Sequence, residues 1–209
     1  MSISEWYLKV DRLPEFSQDV ENYLLSLKPF KATYWDLTSS EMKEYQRDLL
    51  KQLIEIQRNR CAYCGLGLDR NLVDREHFVH KAQAGGRPEF MFHPQNLFAA
   101  CAFCNRRLKG QRATLKVYCE DYTKCEFHIV HPFLDEPSNE LLFVANKKGH
   151  HVLAKAVTPK GKATIDFFKL DEKIMTCKRV GYIAECEAME EMSKEDYAEI
   201  KSISYYKPE

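Results

Sequence analysis

The chain has 209 residues, with 31 Lys and Arg balanced by 31 Asp and Glu, and 44% of its residues are apolar. That length supports one packed unit with additions rather than two large domains, and the composition excludes a disordered chain. No membrane-length apolar run occurs, and Met1 to Lys9 form neither a signal peptide nor a transit sequence, so the expected compartment is the cytoplasm, with no membrane partner.

The zero net charge hides an uneven distribution. Residues 51–115 hold eleven Lys or Arg against five Asp or Glu, a balance of +6, while residues 1–50 and 116–209 each come to −3. Positive potential concentrated on one segment suits a phosphate-binding surface.

In chain order, Pro14 and Pro29 bracket a short helix expected from Glu15 to Leu27, with Phe16, Val20, Tyr23, Leu24 and Leu27 at helical spacing. A second helix follows a capping-box pattern at Thr38 and Glu41, and Met42, Tyr45, Leu49, Leu53 and Ile56 form its apolar stripe up to Arg58. Between Cys61 and Lys109 the signals shorten into a cysteine knuckle, a strand over Leu72–Val79, a loop at Gly85 and Gly86, a strand over Asn96–Ala100, and a second knuckle opening a helix. Beyond it, Glu140–Ala145, His151–Val157 and Thr164–Leu170 read as a three-stranded meander with turns at Asn146–Gly149 and Thr158–Gly161, followed by an acidic helix over Val180–Ile200. The expected organisation is an N-terminal helical segment over 1–58, a compact core over 59–115 and a C-terminal α/β extension over 116–209, giving an α+β protein.

In a reducing compartment cysteines are better read as metal ligands or buried thiols than as disulfides. Cys61-Ala-Tyr-Cys64 and Cys101-Ala-Phe-Cys104 are two knuckles whose spacing lets four thiolates share one tetrahedral zinc ion. The 36 residues between them leave room for a β-hairpin, which the zinc would close at its base. Cys119, Cys125, Cys177 and Cys186 lack such spacing and read as small hydrophobes, although Cys119, Cys125, His128 and His131 could make a second site.

Inside the clamp, Arg75-Glu76-His77-Phe78-Val79-His80-Lys81 is followed by Gly85-Gly86, then His93-Pro94-Gln95-Asn96-Leu97, and finally Cys101-Ala-Phe-Cys104-Asn105-Arg106-Arg107-Leu108-Lys109-Gly110. This ordered set resembles the zinc-decorated branch of the HNH, or ββα-metal, nucleases. The resemblance implies a ββα-metal core in which His77 is the general base, Asn96 holds the hairpin and orients that base, Asn105 is the third motif residue, and Glu76 ligates the catalytic metal. Two positions depart from the pattern: Asn105 stands where many members have histidine, and His80 where many have proline.

Hydrolysis of a phosphodiester at neutral pH needs a base for water, which an imidazole supplies, and a hard divalent ion, magnesium or manganese, held here by the oxygens of Glu76 and Asn105. Lys81, Arg106, Arg107, Lys109 and Arg112 would position phosphates, aided by the N-terminus of the helix near Asn105. Neighbouring residues of a regular strand face opposite ways, so Glu76 and His77 can serve one site only where the strand ends or bulges.

Val130-His131-Pro132-Phe133-Leu134-Asp135 and Lys160-Gly161-Lys162-Ala163-Thr164-Ile165 further resemble bacterial HNH proteins of antiphage defence, of the Septu type and its retron-associated relatives. That likeness implies an effector nuclease with an ATPase partner; the expected substrate of the nuclease is DNA, double-stranded. Two other readings stay open at this point: a catalytically silent zinc module that binds nucleic acid or protein, and an RNA-directed nuclease.

Overall fold

The computed structural model describes residues 6–68, 72–82 and 85–204. The opening residues 1–5, part of the segment read for targeting signals, and residues 205–209 at the end of the expected extension lie outside them.

Two helices lead the chain in. The first, α1 (Gln18–Ser26), begins three residues later than its pattern predicts, because the Ser17 side chain accepts from the Val20 amide and fixes the N-cap there. Likewise α2 (Ser40–Ile56) is capped by Ser39 rather than Thr38, and it buries Met42, Tyr45, Leu49 and Leu53 of the expected stripe. The chain then turns through Arg58 and Asn59, both with positive φ, into the first knuckle.

The strands β1 (Val73–His77) and β2 (Leu97–Cys101) pair antiparallel in unbroken register, from Val73 opposite Cys101 to His77 opposite Leu97. All five residues of β2 are buried, and α2 packs across the pair. The second knuckle opens a π-helix, Phe103–Lys109, rather than the expected α-helix; the Gly110 amide reaches back five residues to the Asn105 carbonyl at 2.7 Å, which closes its wide turn. Asn105 and Lys109 both reach from it to β1, at Asp74 and Glu76.

A small pair, β3 (Leu115–Val117) and β4 (Glu126–Phe127), precedes the four-residue helix α3 (Pro137–Glu140) and the hairpin of β5 (Leu141–Ala145) with β6 (His151–Ala156). The third strand expected over Thr164–Leu170 is not formed. Those residues belong chiefly to α4 (Pro159–Phe168): Thr158 caps the Gly161 amide, Pro159 opens the first turn, and Thr164, Ile165 and Phe168 bury one helical face. The meander is therefore a two-stranded hairpin, and the turn expected at Thr158–Gly161 is a helix start. Gly161 is required there, since a Cβ would lie 1.7 Å from the Glu140 carbonyl oxygen. The acidic tail is two helices, α5 (Lys173–Glu191) and α6 (Lys194–Ser204).

This is an α+β arrangement of helices and small sheets, and one hydrophobic core runs through residues of all three segments, from Trp6 and Tyr45 through Phe78 and Phe98 to Phe168 and Ile183. Among the described residues no helix is long and apolar enough to cross a membrane.

Candidate metal centre and active site

The two knuckles meet at the base of the hairpin. The sulfurs of Cys61, Cys64, Cys101 and Cys104 all lie within 4.8 Å of one another, and all four residues are buried. Four sulfurs at the usual zinc distance of about 2.3 Å stand roughly 3.8 Å apart, and the Cys64 and Cys101 sulfurs are 4.0 Å apart. Backbone amides already point at two of them, Cys101 N at the Cys61 sulfur and Cys104 N at the Cys101 sulfur. Hydrogen bonds from the neighbouring thiols hold Cys101 well below the ordinary thiol range, while sharing with Cys101 pushes Cys64 and Cys104 up. The spacing and the soft donor set fit zinc. Among the described residues this is the sole cluster of three or more metal-ligating side chains, so Cys119, Cys125, His128 and His131 do not assemble one.

Beyond the clamp, the regular register of β1 sends Asp74 and Glu76 to one face and Arg75 and His77 to the other. The strand ends at His77 without a bulge. Glu76 is buried; its Oε1 accepts from the Tyr63 hydroxyl at 3.1 Å and pairs with Lys109 Nζ at 2.6 Å. Burial raises the Glu76 carboxyl above its ordinary range against the pull of Lys109. Lys109, expected on a phosphate-binding surface, is 1% exposed. Its ammonium also donates to the His77 carbonyl at 2.7 Å and to His80 Nδ1 at 3.3 Å, so three acceptors surround it.

Asn105 does not reach Glu76 through a hydrogen bond. It donates to Asp74 Oδ2 at 3.0 Å, and Arg106 grips the same carboxylate through Nε at 2.8 Å and through Nη2 at 2.5 Å. Asp74 was not singled out from the sequence, although its place two residues before Glu76 puts both on one strand face. Tyr63, in the interior of the first knuckle, is the other partner that sequence reading missed.

His77 sits on the opposite face, 7% exposed, edge-on to Trp35 with ring centroids 4.3 Å apart. Its Nε2 lies 3.1 Å from the Met91 carbonyl, which as an acceptor requires the proton on Nε2. Among the described residues no hydrogen bond engages Nδ1, which therefore carries the lone pair. Burial first, then the charges of Lys109 and Lys81, lower the His77 pKa to about 3, so the ring is neutral at pH 7.

The chain is similar to the Septu protein PtuB of Bacillus thuringiensis. The two are 29% identical over 122 residues, which is 57% of this chain and 40% of PtuB; the chain thus spans two fifths of that relative's length. No described protein family and no solved structure matches it.

Asn96 is fully buried between β1 and the segment before β2. Its Oδ1 accepts from the Val79 amide at 2.7 Å, and its Nδ2 donates to the carbonyls of Val79 and Phe90 at 3.2 and 3.0 Å. The remaining basic residues differ among themselves. Lys81 pairs with Asp36, Arg107 is exposed, and Arg112 donates to the carbonyls of Leu108 and Phe167 with its guanidinium 3.7 Å above the Phe167 ring. The guanidinium of Arg112 thus ties the end of the π-helix to α4.

Proposed function

We propose that this chain is a metal-dependent endonuclease of the HNH type that hydrolyses DNA as the effector of a bacterial antiphage defence system. The observation that carries the reading is the hold on His77: a neutral imidazole fixed through Nε2 by a backbone carbonyl at the end of a strand whose base is closed by the four-cysteine cluster. Similarity to a Septu protein supports the defence setting. By the family resemblance the substrate is double-stranded DNA and the partner an ATPase subunit.

In this reading Nδ1 of His77 takes a proton from water as the water oxygen bonds to phosphorus, the bond to the 3′-oxygen breaks, and that oxygen takes a proton from solvent. Magnesium or manganese, when bound, offsets the charge that grows on the phosphate and leaving oxygens. The hard oxygens of Glu76, Asp74 and Asn105 fit such an ion in kind. Glu76 must then exchange Lys109 for the ion, while burial, the largest cause of the depressed His77 pKa, stays in place. Arg106 and Arg107, both exposed, and Lys81 would meet phosphates.

Two observations favour the alternative of a catalytically silent zinc module: both carboxylates on the candidate face are already neutralised, Asp74 by Arg106 and Glu76 by Lys109, and His77 lies on the opposite face of β1. Cleavage of plasmid, single-stranded DNA and RNA with and without magnesium or manganese separates the readings. His77→Ala is expected to slow cleavage by about two orders of magnitude or more at a temperature where the variant stays folded. Metal-independent or undiminished cleavage by that variant would move the active site elsewhere, and no cleavage by the unaltered protein would favour the silent module.

A further inference from the structure

The segment Val130–Asp135 has no role in the chemistry above, yet a dense set of hydrogen bonds fixes it. The Val130 amide donates to Thr164 Oγ1 at 2.8 Å, and its carbonyl accepts from the Tyr7 hydroxyl at 2.5 Å. The His131 amide donates to Asp135 Oδ2 at 2.6 Å, the Asp135 amide returns to the His131 carbonyl, and Lys160 pairs with the same carboxylate. At the centre stands the His131 ring, fully buried against Phe78 and Phe127.

Its hydrogen bonds run in one direction only. His131 Nδ1 accepts from the amides of Phe133 and Leu134, each at 3.1 Å, so that nitrogen bears no proton and the neutral ring must carry its proton on Nε2. Nε2–H therefore donates to the Tyr122 oxygen at 2.9 Å, which obliges the Tyr122 hydroxyl to donate onward to Asn96 Oδ1 at 3.0 Å. Burial holds the His131 ring neutral, in keeping with this order. A flipped Asn96 amide would set its NH₂ against two donors, Val79 N–H and Tyr122 O–H, and leave the Val79 and Phe90 carbonyls without their partner. Each such loss leaves a buried polar group desolvated and without a partner.

Asn96 in turn grips the chain at two points tied to His77. Val79 lies two residues beyond it, past the end of β1, and Phe90 immediately precedes Met91, whose carbonyl holds the His77 ring. We propose that His131 and Tyr122 are positioning residues for His77, acting in series through the orientation of Asn96, so that the C-terminal extension is part of the cleavage apparatus. This rests on the reading of His77 as the base.

Tyr122→Phe tests it, because it deletes one hydroxyl and keeps a ring that packs on Phe90, His93 and Phe127. We expect full zinc content, loss of exchange protection at the Asn96 side-chain amide and the Val79 amide, and a fall in kcat of at least about tenfold with KM little changed. In a His77→Ala background the same substitution should cost almost nothing further, since the two act on one group. Unaltered Asn96 and Val79 signals, or a wild-type kcat, would overturn the positioning role alone. Absence of any cleavage by the unaltered protein, with the amide signals responding as expected, would instead bring down the nuclease reading and the positioning role with it.

Discussion

At the base of the β1–β2 hairpin four thiols converge in a set that could hold a zinc ion, whereas along the same strand Asp74 and Glu76 each meet a cation supplied by the π-helix. The difference is one of need. Four buried thiolates cannot stand together unneutralised, so a zinc ion bound at the first centre would contribute folding energy. The second is complete as a set of protein ion pairs and holds its shape empty, and an external cation enters it only by competing with Lys109 and Arg106.

The sharpest way to break that contrast is to remove ligands from the base. Cys64→Ser or Cys101→Ser is expected to lose zinc and to unfold the segment from Cys61 to Lys109, because binding free energies on the order of 10 kcal/mol are at stake in such sites. Elemental analysis with circular dichroism reads this directly. Folded protein carrying less than about half a zinc per chain would remove the basis for the clamp.

A smaller effect is expected at the oxygen face. Lys109→Met strands the buried Glu76 carboxylate and should cost about 3–5 kcal/mol in denaturant unfolding, with much of it regained in Lys109→Met combined with Glu76→Gln. Equal stability of the single and double variants would mean that the pair does not hold this face together.

The smallest effect is a pH slope. Burial depresses His77 to about 3 and drives His131 well below its ordinary value, while both titrate near 6.5 when unfolded. The unfolded chain therefore binds more protons below pH 6.5: stability is level above that pH and falls as pH drops, by about 1.4 kcal/mol per unit for each ring until its folded pKa is reached. Zinc-saturated His77→Gln should lose about 1 kcal/mol less than the unaltered protein between pH 6.5 and 5.5, since the unfolded ring is only half protonated at the upper end. An identical slope would place His77 in contact with solvent.

Legibility in the sequence followed the range of the interactions. The cysteine knuckles, the α2 stripe and the two hairpin strands depend on spacings of a few residues, and those were readable. The misreading of Thr164–Leu170 has a local cause as well. Thr158 and Pro159 are helix-start signals, but the two preceding strands suggested a meander, and β-branched Thr164 and Ile165 agreed with a third strand.

What the sequence by itself determined is the four-cysteine cluster, the placing of Glu76, His77 and Asn96 within the hairpin it closes, and that of Asn105 just after the last cysteine, since period and knuckle spacing fix these locally. Only the tertiary structure decided that Lys109 is a buried counter-ion, that Asp74 rather than Glu76 meets Asn105, and that His131 reaches Asn96 through Tyr122. The physical reason is distance along the chain: Lys109 stands 32 residues from the carbonyl of His77 that it binds. No periodicity carries that far, and a buried charge or amide takes whichever partner the packed core brings within reach.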